Sequence, residues 1–332
     1  MRILVVDDDP LILELLRDTL PSVGFPDVTL AASAIEAMQI IQNSRDPFEC
    51  CLLDIQMPQI TGIELCDWLR QRPGYSDVPV LMITAMSDRS FINQAFAAGA
   101  TDYVTKPFDP LELSTRIKLA EKLNLERRRK PESNVAAYTM VSATSQTQRF
   151  DLHTPFHVQD VSGVIDILAL ENYLLQLGRG GMFATGIFAF QIAGVQHLYN
   201  SCTAEEYYYT ITDVAEAIAE NLAYFETFVA HAGNGAFVCV SHGRNLPEED
   251  DIEISVRQTI DAMELCYDDG RDMDVQVYSS PRQRMGLSSG RAAIEALATA
   301  VQAAEKKAAV GSSRAKPQRK TRGFLRMFKL AV

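Results

Sequence analysis

Five short apolar runs, Ile3–Val6, Val28–Ala31, Cys50–Leu53, Val80–Ile83 and Tyr103–Val104, recur through the first 125 residues with helical patterns between them. Strand and helix in regular alternation specify a parallel α/β sheet, because each parallel crossover needs a helix to close it. Helix starts are legible as well. Asp9 stands as N-cap before Pro10, and Ile12, Leu15, Leu16, Thr19 and Leu20 then share one helix face. Asp109–Pro110 repeats that signal ahead of Leu113, Ile117 and Ala120, and this helix runs on toward Glu126–Lys130 until Pro131 stops it.

The ends of these runs carry the chemistry. Asp7 and Asp8 follow the first, Asp54 ends the third, Thr84 the fourth and Lys106 the fifth. In an open parallel sheet these points lie at the carboxyl edge, where ligands bind at the switch in strand order. Three carboxylates there repel one another unless a hard cation joins them, and oxygen ligands of this kind suit Mg²⁺. An aspartate, a hydroxyl, an ammonium and Mg²⁺ together make a site for phosphoryl transfer to a carboxylate.

The segments ILVVDDDP, LLDIQMPQITGIEL, MITA and DYVTKPF resemble the receiver domain of bacterial two-component response regulators, in order and spacing, over residues 1–125. The resemblance implies a flavodoxin-like (βα)5 fold. It makes Asp54 the phosphoacceptor, Asp8 a direct Mg²⁺ ligand with Asp7 supporting, and Gln56 a ligand through its backbone carbonyl. Thr84 and Lys106 would hold the phosphoryl oxygens, and Tyr103 would turn inward with Thr84. The implied partner is a sensor histidine kinase or phosphotransfer protein.

Residues 131–150 are rich in Ser, Thr, Ala and Gln without periodicity, so residues 126–157 read as a helical extension and flexible linker. Beyond it the pattern changes. A helix at Leu168–Leu177, stopped by a turn at Gly178–Gly181, precedes a strand (Phe183–Ile192), a helix (Ala204–Leu222), and strands at Phe225–Ala230 and Ala236–Ser241. A helix at Ile252–Tyr267, a strand at Met273–Ser279 and a helix at Ser288–Ala309 follow. The order β-α-β-β-α-β is that of an α+β, ferredoxin-like split βαβ unit.

That order, the segment 168–173 and the hairpin Gly233, Asn234, Gly235, Ala236, Phe237 resemble the diguanylate cyclase (GGDEF) family, a nucleotidyl cyclase-type fold, over residues 158–310. The family takes its metal carboxylates from the first strand's end and the hairpin. Here no acid lies between Glu171 and Glu205 or between Glu226 and Glu248, and Tyr224–Thr227 lacks the family's RxxD product site. The resemblance therefore implies a degenerate, catalytically inactive module that acts by binding an unknown protein target. A nucleotide sensor for GTP or cyclic di-GMP is the alternative, with an active cyclase or a DNA-binding regulator further off. Dimerisation, or the helix leading to Lys130, would connect the two halves.

Composition bounds these readings. The 332 residues have room for two domains, and 47% apolar with 22% charged is globular. The net charge of −12 argues against broad nucleic-acid binding, although nine Lys and Arg with no acid fall between Lys306 and Val332. Residues 311–332 thus read as a basic, disordered tail. No run reaches the ~18 apolar residues of a membrane span, and the cysteines show no CxxC spacing, so a cytoplasmic chain with reduced thiols is expected. His197, His231 and His242 read as surface or strand-end residues, Glu248–Asp251 as a solvated helix start, and at most two of Tyr207–Tyr209 can face a core.

Overall fold

The computed structural model describes residues 1–85, 89–129, 151–159, 161–243 and 247–314. The expectations for 131–150 and for the tail beyond Arg314 lie outside these residues, whereas residues 311–314, read as the start of a disordered tail, continue the last helix to Arg314. In the N-terminal unit the elements are β1 (Ile3–Val6), α1 (Pro10–Ser22), β2 (Val28–Ala31), α2 (Ala34–Asn43), β3 (Cys50–Asp54) and α3 (Gly62–Arg70). They continue with β4 (Val80–Thr84), α4 (Arg89–Ala97), β5 (Asp102–Thr105) and α5 (Pro110–Arg129). All five strands are parallel in the order β2-β1-β3-β4-β5.

Strand alternation divides the core between the two sheet faces. Cys50 and Leu52 point toward α1 and α5, with Leu13, Leu16, Leu113 and Ile117. Cys51 and Leu53 point toward α2 and α3, with Ala37, Ile41, Leu65 and Leu69. The caps explain where helices start: Asp9 accepts from Leu11 N, and Thr61 and Glu64 form a capping box at α3. Strands β3 and β4 run one residue further than their apolar runs, because Asp54 pairs with Ile83 and Thr84 with Thr105 in the ladder. The chain reverses its strand order between β1 and β3, which sets Asp7, Asp8 and Asp54 side by side.

The C-terminal unit holds α6 (Ile167–Gln176), α7 (Arg179–Phe183), β6 (Thr185–Ile192), α8 (Val195–Ser201), α9 (Ala204–Leu222) and β7 (Thr227–His231). After these come β8 (Ala236–His242), α10 (Glu249–Ala262), β9 (Val277–Ser279), β10 (Gln283–Arg284) and α11 (Gly290–Arg314). Its sheet is antiparallel: β8 lies between β6 and β7, while β9 and β10 pair with successive stretches of β6. Helices α9 and α10 cover one face and α6 and α11 the other.

Several elements differ from expectation. The Gly178–Gly181 turn is the start of α7, and α8 fills the loop before α9. Helix α10 ends at Ala262 because Glu264 adopts φ 50°, outside the helical region. Met273 and Val275 are buried like strand residues, but the ladder starts only at Val277. Residues 151–157 are not free linker: Leu152 is buried in the C-terminal core and its carbonyl accepts from Asn234 N at 2.6 Å. The acidic helix start is ion-paired rather than merely solvated, with Glu249 against Arg282 at 3.1 Å and Asp250 against Lys307 at 2.9 Å. Tyr207 and Tyr208 are buried and Tyr209 is exposed.

His231 is a buried residue, 2% exposed, rather than a surface one. Its Nδ1 accepts from Phe156 N at 3.3 Å, so the neutral ring carries its proton on Nε2, for which no hydrogen-bond partner exists among the described residues. Burial pushes its pKa down from 6.5 to about 3. Between those values the unfolded chain binds the extra proton, so the stabilisation is complete above pH 6.5 and is lost as pH falls toward 3. We expect stability of the C-terminal unit, read by hydrogen exchange of β7 and β8 amides, to fall by up to about 1.4 kcal/mol per pH unit between pH 6 and 5. His231→Leu should remove that slope; an equal slope in the variant would contradict the assignment.

Candidate functional site

At the carboxyl edge of the N-terminal sheet, one oxygen from each of Asp7, Asp8 and Asp54 lies within 4.8 Å of the others. Asp7 and Asp54 are buried and Asp8 is exposed, so the cluster opens to solvent on one side. Lys106 reaches in from just beyond β5. Its Nζ donates to Asp54 Oδ1 at 2.7 Å and stands 2.7 Å from Asp7 Oδ2. The backbone supports that reach, since Lys106 N donates to Thr84 O at 2.6 Å. Asp7 Oδ1 accepts from Asp9 N at 3.0 Å, which fixes the turn into α1.

Burial pushes the Asp54 carboxyl above the usual carboxylate range; the hydrogen bond and charge of Lys106 oppose this, while Asp7 and Asp8 add to it. For Lys106, burial disfavours the ammonium, but its two carboxylate partners outweigh that and its pKa is raised. Two buried carboxylates and one ammonium leave a net negative site. Asp7 Oδ2 is buried and has no partner of hydrogen-bond geometry among the described residues. A hard divalent cation fits this donor set of carboxylate oxygens with an open, solvated side.

Thr84 is 1% exposed at the end of β4, next to Asp54 in the ladder order, whereas Gln56 is exposed just after β3. Tyr103 is half-buried on β5 and packs edge-on against Phe96 of α4, with ring centroids 6.2 Å apart. Gly62 is a residue whose role no spacing signals. A Cβ there would collide with the backbone carbonyl of Asp54, and Gly62 N donates to Ile55 O at 3.1 Å. The N-terminus of α3 is thus pressed directly against the strand end that carries Asp54.

Residues 3–118 match the family model of the response regulator receiver domain. The chain belongs to the response regulators. Transcriptional regulatory protein YvrH of Bacillus subtilis is 32% identical over 177 residues, 53% of this chain and 67% of that protein. Response regulator MprA of Mycobacterium avium is 39% identical over 140 residues, 42% of this chain and 57% of that protein. Among solved structures, chemotaxis protein CheY4 of Vibrio cholerae is 31% identical, covering 36% of this chain and 97% of that one, with a TM-score of 0.34. The chain spans about half to two thirds of the length of the curated relatives it matches. Receiver domains as a class are phosphoacceptor regulators that bind Mg²⁺ through an acidic pocket, and the cluster of Asp7, Asp8 and Asp54 is such a pocket here.

The second candidate, the hairpin, is differently built. Gly233, Asn234 and Gly235 all have positive φ, at 82°, 52° and 65°. Their close packing has a reason: a Cβ on Gly233 would strike His153 O, and one on Gly235 would lie 2.5 Å from Val195 Cγ2. Gln191, at the end of β6, donates through Nε2 to Ile192 O at 3.1 Å and to Asn234 O at 2.8 Å. Asn234 Nδ2 donates to Glu305 Oε1 at 3.1 Å, and Ala236 and Phe237 are buried in β8. An amide thus closes the space between the first strand's end and the hairpin. No helix among the described residues is long and apolar enough to cross a membrane.

Proposed function

We propose that the protein is a phosphorelay response regulator in which a histidine kinase or phosphotransfer protein phosphorylates Asp54 with Mg²⁺. The observation that carries this reading is Lys106 Nζ at 2.7 Å from the carboxylate of Asp54, within a cluster of three carboxylates at the strand-order switch. Asp8 and Asp54 would hold the metal directly, together with the Gln56 carbonyl, and Asp7 would support them. The metal would neutralise charge on the transferring phosphoryl group. Lys106 and Thr84 would bind its oxygens, and Tyr103 would respond at the α4–β5 face.

For the output we favour a degenerate cyclase-like, ferredoxin-type module that acts by binding a protein. The closed hairpin supports this: Gly235 has no room for the side chain an acidic residue needs, and the amide of Gln191 donates hydrogen bonds to Ile192 O and Asn234 O where the family places carboxylates. The names of YvrH and MprA describe those proteins.

Incubation with acetyl phosphate and Mg²⁺ is expected to label the full-length protein, and Asp54→Ala is expected to abolish the label. Stoichiometric labelling of Asp54→Ala would remove the phosphoacceptor assignment.

A further inference from the structure

Helix α6 faces the receiver domain. Tyr173 packs edge-on against Phe96 of α4 at 5.3 Å, and Asn172 and Gln176 donate across the seam to Thr101 O and Asp102 Oδ1. That side of the C-terminal sheet is therefore taken up within the chain. On the opposite side, between the 233–235 hairpin and the start of α9, the cover is a strap without helix or strand, residues 151–158.

The groove under the strap matches it residue by residue. Asp151 folds its start: the carboxylate accepts from His153 N at 3.2 Å and from Thr154 Oγ1 at 3.0 Å. Leu152 enters the core, 4% exposed, and its carbonyl accepts from Asn234 N at 2.6 Å. A Cβ on Gly233 would strike His153 O, so the glycine makes room for the strap's backbone. Phe156 lays its ring 4.4 Å from that of His231 and 5.4 Å from that of Tyr208 on α9. Its N–H donates to His231 Nδ1 at 3.3 Å. Val158, 1% exposed, is the last anchor.

The two ends of the strap are fastened differently. Past Val158 the chain is stitched to β7, where Val229 N donates to Gly163 O at 2.9 Å and Ile165 N donates to Val229 O at 2.8 Å. Before Asp151 comes the Ser, Thr, Ala and Gln-rich stretch 131–150. The bonds to Asn234 and His231 are separate ones rather than rungs of a ladder. A segment held in this way opens at a lower free energy than the strands beside it.

Resting on the reading of the C-terminal unit as a protein-binding module, we propose that the groove under the strap is its docking surface. The occupant is an extended segment of a partner protein with the pattern the seated strap displays: an aliphatic residue, an aromatic four positions on, and a second aliphatic two further. The strap holds the groove in cis. The partner segment replaces it, accepting from Asn234 N and placing its aromatic ring between His231 and Tyr208. Tethering gives the strap a roughly millimolar effective concentration, so wild-type protein resists a free segment and a weakened strap admits it.

The probe is a fluorescein-labelled synthetic peptide with the sequence of residues 150–159, followed by anisotropy on the full-length chain. The variant Leu152→Ala, Phe156→Ala weakens the strap and leaves the groove intact. It should bind the peptide at least about tenfold more tightly than wild type does. A peptide carrying the same two alanines should not compete. In the wild-type protein, the Asn234 amide, bonded to Leu152 O, should exchange faster than the Val238 and Cys239 amides of β8. Equal binding by variant and wild type, or no binding by a variant whose β8 amides stay protected, overturns the groove. Exchange of Asn234 no faster than that of β8 overturns it as well. Wild-type dimers that the peptide dissolves would give the groove to a second copy and overturn the partner named here. Displacement of bound peptide by GTP or cyclic di-GMP would overturn the protein-binding reading itself, a result distinct from absent peptide binding.

Discussion

Lys106→Met is expected to destabilise the receiver domain by about 3–5 kcal/mol in the presence of a chelator, the cost of leaving buried charge uncompensated. Lys106 is the ammonium that faces both Asp7, which is fully buried, and Asp54, which is 4% exposed. Methionine keeps the packing of the stem and removes only the charge and donors. Part of the cost is relieved because Asp54, already pushed above the usual range by burial, takes up a proton more readily. The destabilisation should therefore shrink as pH falls. Mg²⁺ should offset it, by about 2.7 kcal/mol at a hundred times its Kd. Trp68 is the chain's single tryptophan and packs against the receiver core, so its fluorescence in urea reads this domain selectively. A loss below about 1 kcal/mol, the ceiling for exposed ion pairs, would contradict the buried role of Lys106.

Gly62→Ala should be comparably damaging, for a steric reason. Alanine near a helix start is ordinarily favourable by roughly 0.5–1 kcal/mol over glycine. Here the added Cβ would collide with Asp54 O, lie 2.9 Å from its carbonyl carbon and 3.3 Å from Ile55 Cα. All three are backbone atoms, so no rotamer relieves the contact. Helix α3 must lift off the end of β3, disturbing the bond from Gly62 N to Ile55 O and the capping box of Thr61 and Glu64. We expect a loss of about 3 kcal/mol, at the upper end for overpacking, together with a large fall in acetyl phosphate labelling as Asp54 shifts. A variant as stable and as readily labelled as wild type would show that α3 does not position Asp54.

The N-terminal unit was legible because local signals agreed with tertiary ones. Each strand run ended at the residue that the parallel ladder carries to the ligand edge, and Asp9 and Asp109 marked helix starts by their own side chains. In the C-terminal unit the strand order was readable and several boundaries were not. Glu264 breaks α10 through a left-handed backbone that no glycine announces, and α8 is too short to show a helical period. Met273 and Val275 alternate like a strand because they are buried under α9 and α10, yet the ladder partner arrives only at Val277. The burial of His231 was missed because a strand-end histidine looks the same whether it faces water or a ring such as Phe156.

The seam between the units was the least visible feature. Asn172, Tyr173 and Gln176 are ordinary helix residues, and nothing in their spacing distinguishes a face docked on α4 from one docked on the unit's own sheet. Tyr173 does both, touching Phe96 and Phe228 together. Gly62 likewise carried no separate signal, since its constraint is a contact with a strand end eight residues earlier in the chain.

The most direct test of the central claim is the position of the covalent label. Full-length protein would be incubated with acetyl phosphate, the acyl phosphate trapped by reduction, and the digest mapped with Mg²⁺ present and with it chelated. The expected result is one modification per chain, on Asp54, requiring Mg²⁺. Modification of a different residue, or labelling of Asp54 that is equally rapid in chelator, would contradict a phosphoacceptor site built from Asp54, Lys106 and a metal held by the neighbouring aspartates.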